Sequence, residues 1–349
     1  MQTAQQIDPD IAKKLKKEDL VYCSDSTPGF FRQKNGKDFN YYDLKGKRIR
    51  SPGIVNRLNS LKVPPAWKDA WICPKVNGHL QATGIDDKGR KQYIYHPDWI
   101  KLSQENKFSK VVDFGLSLPK IRDKVRYDLA QRSGDKRKIL ATVIWLLEHT
   151  IIRVGNEEYQ KENNSFGLTT LRTKHAKVLG SSVTFSFRGK SGVYNTLQIS
   201  NKKIAKTIRR CIELPGYELF GFIDEDGKRH VINSEDVNLF LKDVTKDDFS
   251  AKDFRTWGGT SLSANHFYNL GFPDQKKELN KNIVQTVKAV AHHLNNTIAV
   301  CKNYYIHPTV IDTYQANILI PHFKKYTKSK KPGLSWDEYA LIRLLQKNA

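Results

Sequence analysis

The sequence predicts an α+β protein of two lobes. Residues 1–102 read as a small β-rich amino-terminal domain, and residues 103–349 as a mostly α-helical domain carrying one β-hairpin. Three observations carry this. Turn signals punctuate short aromatic runs between Val21 and Trp99, the pattern of antiparallel hairpins. Beyond about residue 105 the apolar period becomes helical. One alternating stretch, Val183, Phe185 and Phe187, then interrupts the helical half. A chain of 349 residues has enough length for a core in each lobe.

Taken in order, residues 1–20 are polar and read as a short helix or an arm. Thr27-Pro28-Gly29, Asn35-Gly36, Lys45-Gly46, Asn77-Gly78 and Asp86-Asp87-Lys88-Gly89 mark turns, with one helix expected at Ile54–Leu61. Lys136–Ile152 places Ile139, Val143, Leu146 and Leu147 on one helical face. Ser181–Phe187 and Val193–Ile199 flank Arg188-Gly189-Lys190-Ser191-Gly192, which predicts a hairpin with Lys190 at its tip. Helices are expected at Lys202–Cys211, Ser234–Leu241, Ser250–Tyr268, Lys276–Leu294 and Pro308–Leu319. The stripe Ile283, Val287, Val290, Ala291 and Leu294 makes the fourth of these the clearest. Lysine-rich Phe323–Pro332 reads as a mobile loop and Trp336–Gln346 as a terminal helix.

Charge narrows the partner. Fifty-nine Lys and Arg against 36 Asp and Glu leave a formal charge of +23, more than solubility requires. Such an excess favours a polyanion, bound in a strongly salt-dependent way; an anionic membrane surface is the alternative. Cys23, Cys73, Cys211 and Cys301 are isolated, without zinc spacing, as expected for thiols in a reducing compartment. No apolar leader and no run of about 18 apolar residues stands out, so an intracellular, non-membrane protein is expected.

Several residues invite chemistry. Gly189-Lys190-Ser191 resembles a phosphate loop, but Thr184 stands where the earlier glycine belongs, and strand-turn-strand is the wrong context. Tyr93 and Tyr95, beside Lys88, Arg90 and Lys91, share one strand face: either a core pair or a nucleic-acid contact. Arg153, between apolar neighbours at a helix end, and Arg255 are each either buried ion-pair partners or phosphate clamps; Glu157 and Glu158 are the obvious partners for Arg153. Tyr304-Tyr305, just beyond an amphipathic helix, is a tyrosine pair in an electropositive chain, where a phenol is a plausible nucleophile toward a phosphodiester.

Long motifs connect these residues. Val63-Pro64-Pro65-Ala66-Trp67, Trp71-Ile72-Cys73-Pro74, Gly78-His79-Leu80-Gln81-Ala82-Thr83-Gly84 and Gly89-Arg90-Lys91-Gln92-Tyr93 closely resemble the amino-terminal domain of small type IB DNA topoisomerases, the poxvirus and bacterial kind. Arg153-Val154-Gly155 and Lys252–Gly258 look like that family's two catalytic-arginine motifs, and Phe187–Gly192 like the hairpin with its lysine. The resemblance implies Tyr305 as nucleophile, with Arg153, Lys190, Arg255 and Asn296 as its catalytic partners. It also implies DNA contacts from Gln92, Tyr93, Tyr95 and Tyr159. Asn296 departs from the histidine many members carry; its amide still donates a hydrogen bond but cannot carry charge. The implied protein is a DNA-associated monomer clamped around duplex DNA. It would relax supercoils through a 3′-phosphotyrosyl intermediate, with no cofactor and no metal. Tyrosine recombinases share this chemistry, but usually have His-x-x-Arg at the second arginine, where Lys252 precedes Arg255 here. A non-catalytic DNA-binding clamp is the rival of a different class.

Overall fold

The computed structural model describes residues 15–131 and 135–348. Most of the polar amino-terminal stretch, residues 1–14, lies outside them. Two compact units form, Met1–Lys107 and Phe108–Ala349.

The first unit is built on a five-stranded antiparallel sheet in the order β2-β1-β3-β4-β5. Its strands are β1 (Phe30–Asn35), β2 (Asp38–Tyr42), β3 (Lys68–Ile72), β4 (Leu80–Ile85) and β5 (Lys91–Tyr95). The Asn35-Gly36 turn joins β1 to β2, with Gly36 at φ +62, a conformation side chains resist. The expected helix spans Pro52–Ser60, with proline in its first turn, and fully buries Leu58. Leu58 packs with Tyr41, Val63, Ala70, Ile72 and Ala82. From the same helix Arg57 donates to the carbonyls of Cys73, Pro74 and Lys75 and to the Gln81 side chain, tying the helix to the β3–β4 connection.

The second unit is mostly helical. Its expected helices appear as Lys136–Thr150, Lys202–Glu213, Ser234–Thr245, Ala251–Leu270 and Lys276–His293. The stripe in the last is buried throughout, from Ile283 to Leu294, because one face of a 3.6-residue period meets the core. The hairpin is β7 (Ser182–Arg188) paired in register with β8 (Tyr194–Ser200), Arg188 opposite Tyr194. Val183, Phe185 and Phe187 point into the core and are almost completely buried.

Several features differ from the sequence reading. A third strand, β6 (Ala176–Leu179), joins the hairpin, and β9 (Gly221–Ile223) pairs with β10 (Arg229–Val231). A long helix, Pro97–Ala130, has no counterpart in the sequence reading; Phe108, Val111, Phe114, Leu118, Ile121, Val125 and Leu129 are its buried stripe, and internal Pro119 obscures it. The expected helix Pro308–Leu319 is two, Pro308–Gln315 and Leu319–Tyr326, broken where Asn317 turns to φ +55. The first part of the expected lysine-rich loop is therefore helical. Phe323 is fully buried while Lys324 and Lys325 are exposed, so the lysines line the solvent face of an amphipathic turn. The carboxyl-terminal helix spans Trp336–Lys347 behind a Ser335 capping box.

Candidate active site

Arg153 lies three residues beyond the helix Lys136–Thr150, which ends two residues short of the expected Ile152. Ile151 caps that helix in the left-handed region, φ 44, an outlier for a β-branched residue. The backbone after it is held by a 3₁₀ turn, Leu168–Thr170: the Leu168 amide donates to the Arg153 carbonyl at 2.8 Å and Thr169 to that of Val154. Gly155 sits at φ +112, and a side chain on Gly167 would come within 2.5 Å of the Gly155 backbone. The two glycines thus let the chain pass closely enough to present Arg153.

The Arg153 guanidinium donates to the Asn295 carbonyl at 3.1 Å and to the Asn296 side-chain oxygen. Burial pulls its pKa down, and the neighbouring charge of Arg255 adds to this; Tyr305 and Tyr159 act in the opposite sense. Arg255, Tyr305 and Tyr159 thus each lie close enough to act on Arg153 electrostatically. Arg255 is 5% exposed, in the helix Ala251–Leu270. It donates to the Ile151 and Leu294 carbonyls, which aims the guanidinium so that its central carbon lies 5.0 Å from the Tyr305 ring centre. Among the described residues neither arginine has a carboxylate within ion-pair distance, and Glu157 and Glu158 are exposed. One buried and one half-buried guanidinium without counter-charge make an electropositive site, chemically suited to an anion. Two buried donors, Arg255 Nε and Asn296 Nδ2, have no protein partner.

Tyr305 caps a short helix, Ile298–Tyr304, that includes Tyr304 and separates Tyr305 from the long amphipathic helix. Its backbone is pinned: the amide donates to Cys301, the carbonyl accepts from Thr260 Oγ1, and Gly259 lies directly beneath. The Tyr305 side chain is half-buried, whereas that of Tyr304 is exposed. Lys190 opens the turn Lys190–Gly192 at the hairpin tip and is exposed. It lines an open cavity of about 420 Å³ together with Arg153, Arg255, His293 and Asn295. Residues from five separate stretches therefore converge. Tyr159 is half-buried in the helix Glu157–Asn163, whose cap is the Asn156 side chain.

In the amino-terminal unit Tyr93 and Tyr95 are 48% and 38% exposed, with rings stacked at 6.0 Å, so they are not a core pair. Lys91 Nζ lies 5.7 Å from the Tyr93 ring and 2.6 Å from Asp25. Gln92, facing the other way, donates to Asp86, which also receives Arg90; the Arg90 bonds hold the Asp86 carboxyl down at about 2. His307 caps the helix Pro308–Gln315 through Nδ1 and packs on Phe108; burial lowers its pKa to about 4, which keeps it neutral and structural. Among the described residues no group of three or more His, Cys, Asp or Glu side chains is disposed to hold a metal, and no helix is long and apolar enough to cross a membrane. Sequence reasoning missed Asn295, Gly259 and Thr260. Only Asn295 carried a signal, as an asparagine just past a helix end, where the left-handed conformation is common.

Residues 96–331 match the family model of the eukaryotic DNA topoisomerase I catalytic core, and residues 38–86 that of the bacterial DNA topoisomerase IB N-terminal domain. The chain is 32% identical over 301 residues to a DNA topoisomerase 1B of Acanthamoeba polyphaga mimivirus, covering 83% of this chain and 88% of the viral one. It is 26% identical over 296 residues to a DNA topoisomerase 1 of Rabbit fibroma virus, covering 81% and 88%. A DNA topoisomerase 1B of Vaccinia virus (strain Copenhagen) is 23% identical over 238 residues, 66% of this chain and 70% of the relative. With a family model spanning most of its length and a relative above 30% identity over most of both chains, the chain belongs to the type IB DNA topoisomerases, isomerases that act on DNA to change its topology.

Proposed function

We propose that the enzyme relaxes supercoiled DNA without ATP or metal, as a monomer, through a transient 3′-phosphotyrosyl bond at Tyr305. The observation that carries this reading is the Arg255 guanidinium 5.0 Å from the Tyr305 ring, beside a second carboxylate-free arginine, Arg153. A phosphodiester entering here would place its non-bridging oxygens against Arg153, Arg255 and the free amide N–H of Asn296. These donors would stabilise the charge that builds on pentacoordinate phosphorus. The Tyr305 oxygen forms a bond to phosphorus while the bond to the 5′ oxygen breaks; the phenol proton leaves to water. Lys190 gives a proton to the departing 5′ oxygen as general acid, and the exposed hairpin tip suits that reach. Covalent catalysis conserves the ester bond energy, so religation needs no ATP. With one strand open, the downstream duplex rotates.

Tyr93 and Tyr95, with Lys91 beside them, offer aromatic and cationic contacts to the duplex from the amino-terminal unit, and Gln92 and Tyr159 add polar ones. Closure of both units round the DNA belongs to the same proposal.

The deciding experiment incubates the enzyme with supercoiled plasmid in EDTA without ATP and quenches with detergent. Relaxed circles and a 3′-linked protein adduct are expected. Tyr305→Phe keeps duplex binding and loses the adduct; an adduct that survives this change, or relaxation that needs metal, refutes the proposal.

A further inference from the structure

Lys190 stands exposed on the turn at the hairpin tip. The turn is nevertheless tethered. Asn195, the second residue of β8, donates through Nδ2 to the Val193 carbonyl at 2.9 Å, and the Gly189 amide donates to the same carbonyl at 2.7 Å. A side chain on Gly189 would fall 2.3 Å from Asn195 Nδ2, so the asparagine packs flat against the start of the turn. Its other amide atom, Oδ1, accepts from Asn295 Nδ2 at 2.5 Å, one hundred residues away in sequence. Asn295 stands at φ +47 between the long helix and Asn296, and its carbonyl accepts from Arg153. One side-chain pair therefore joins the turn that carries Lys190 to the loop that carries Asn296 and anchors Arg153.

We propose that Asn195 and Asn295 are positioning residues that set the distance between the Lys190 ammonium and the departing 5′ oxygen; this rests on the reading of Lys190 as general acid. An amide suits the post at both ends, since it donates and accepts at once and brings no charge to compete with phosphate. The bridge is a single exposed hydrogen bond, so its weight in folding is small. Its weight in the reaction is larger, because displacing a reacting group by about 1 Å costs on the order of 10²-fold in rate.

The test measures single-turnover cleavage on two substrates, an ordinary phosphodiester and one with sulfur as the bridging 5′ atom, which leaves without a proton. Asn195→Ala and Asn295→Gly each break the bridge, and glycine relieves the left-handed backbone at 295, so that variant folds without strain. Each should slow cleavage of the oxygen substrate about tenfold and leave the sulfur substrate at the wild-type rate. Neither should slow a Lys190→Ala enzyme further. Equal slowing on both substrates, or no slowing on either, overturns the proposal. Failure of the sulfur substrate to rescue Lys190→Ala refutes instead the acid role of Lys190, a separate outcome read from a separate variant.

Discussion

Gly259 is the sharpest test of how closely the reaction depends on the backbone beneath Tyr305, the proposed nucleophile. It lies inside the helix Ala251–Leu270, where alanine would ordinarily stabilise by about 1 kcal/mol. Here the added Cβ would stand 2.6 Å from the Tyr305 carbonyl oxygen, 3.1 Å from Tyr305 Cβ and 3.2 Å from Leu294 Cδ1. The first contact is with backbone and cannot rotate away, so the Tyr305 segment must retreat by about 0.8 Å to restore ordinary contact. The same retreat loosens the Thr260 bond to that carbonyl and draws the ring from under Arg255. Since a 1 Å misplacement costs on the order of 10²-fold, Gly259→Ala should slow single-turnover cleavage by about 10- to 100-fold. Duplex binding should persist, because no proposed DNA contact moves. The assay traps the covalent complex with detergent at timed intervals after mixing with a 5′-labelled duplex. Gly53→Ala, a helical site with nothing within 4 Å, is the control. Wild-type cleavage by Gly259→Ala would refute the reasoning, as would loss confined to DNA binding.

Arg255→Lys should cut cleavage by about 10²- to 10³-fold, since an ammonium cannot reproduce the planar fork that bonds both Ile151 and Leu294 carbonyls while facing Tyr305; cleavage within tenfold of wild type would count against that geometry. Gly155→Ala should lower unfolding stability by about 1–3 kcal/mol in urea, because φ +112 is closed to side chains and Thr169 crowds the site; an unchanged urea midpoint would contradict this. His307 is held near pKa 4 against an ordinary 6.5, so its contribution is intact above pH 6.5 and lost as pH falls toward 4, where the unfolded chain takes a proton the folded one refuses. Melting at pH 5 and pH 7 should differ by about 2 kcal/mol at most from this group, and His307→Asn, which keeps the cap acceptor, should shrink that difference.

Local periodicity made much of the fold legible. The stripe from Ile283 to Leu294 and the alternation of Val183, Phe185 and Phe187 are patterns of period 3.6 and 2, and each segment became the element its period demands. The same logic fails where one residue masks the period. Pro119 hid the helix Pro97–Ala130, and the lysines around Phe323 hid a buried helical turn. Strand β6 is four residues with little pattern, and only pairing with β7 makes it a strand.

For the site, the sequence by itself supplied the residue types: a basic chain, a tyrosine pair, two arginines among apolar neighbours and a lysine at a hairpin tip. It left each arginine as either a salt-bridge partner or an anion clamp, and only the tertiary structure removed the salt-bridge alternative among the described residues. Arg255 spends its donors on the Ile151 and Leu294 carbonyls, 104 and 39 residues away, and Arg153 reaches a loop more than 140 residues on. No local rule encodes which distant backbone will meet a guanidinium, because that depends on how helices and glycines pack in three dimensions. That packing left Arg255 buried and Arg153 half-buried, with no carboxylate in ion-pair distance of either among the described residues and Arg255 beside a tyrosine ring, which is the arrangement the proposed phosphate contact uses.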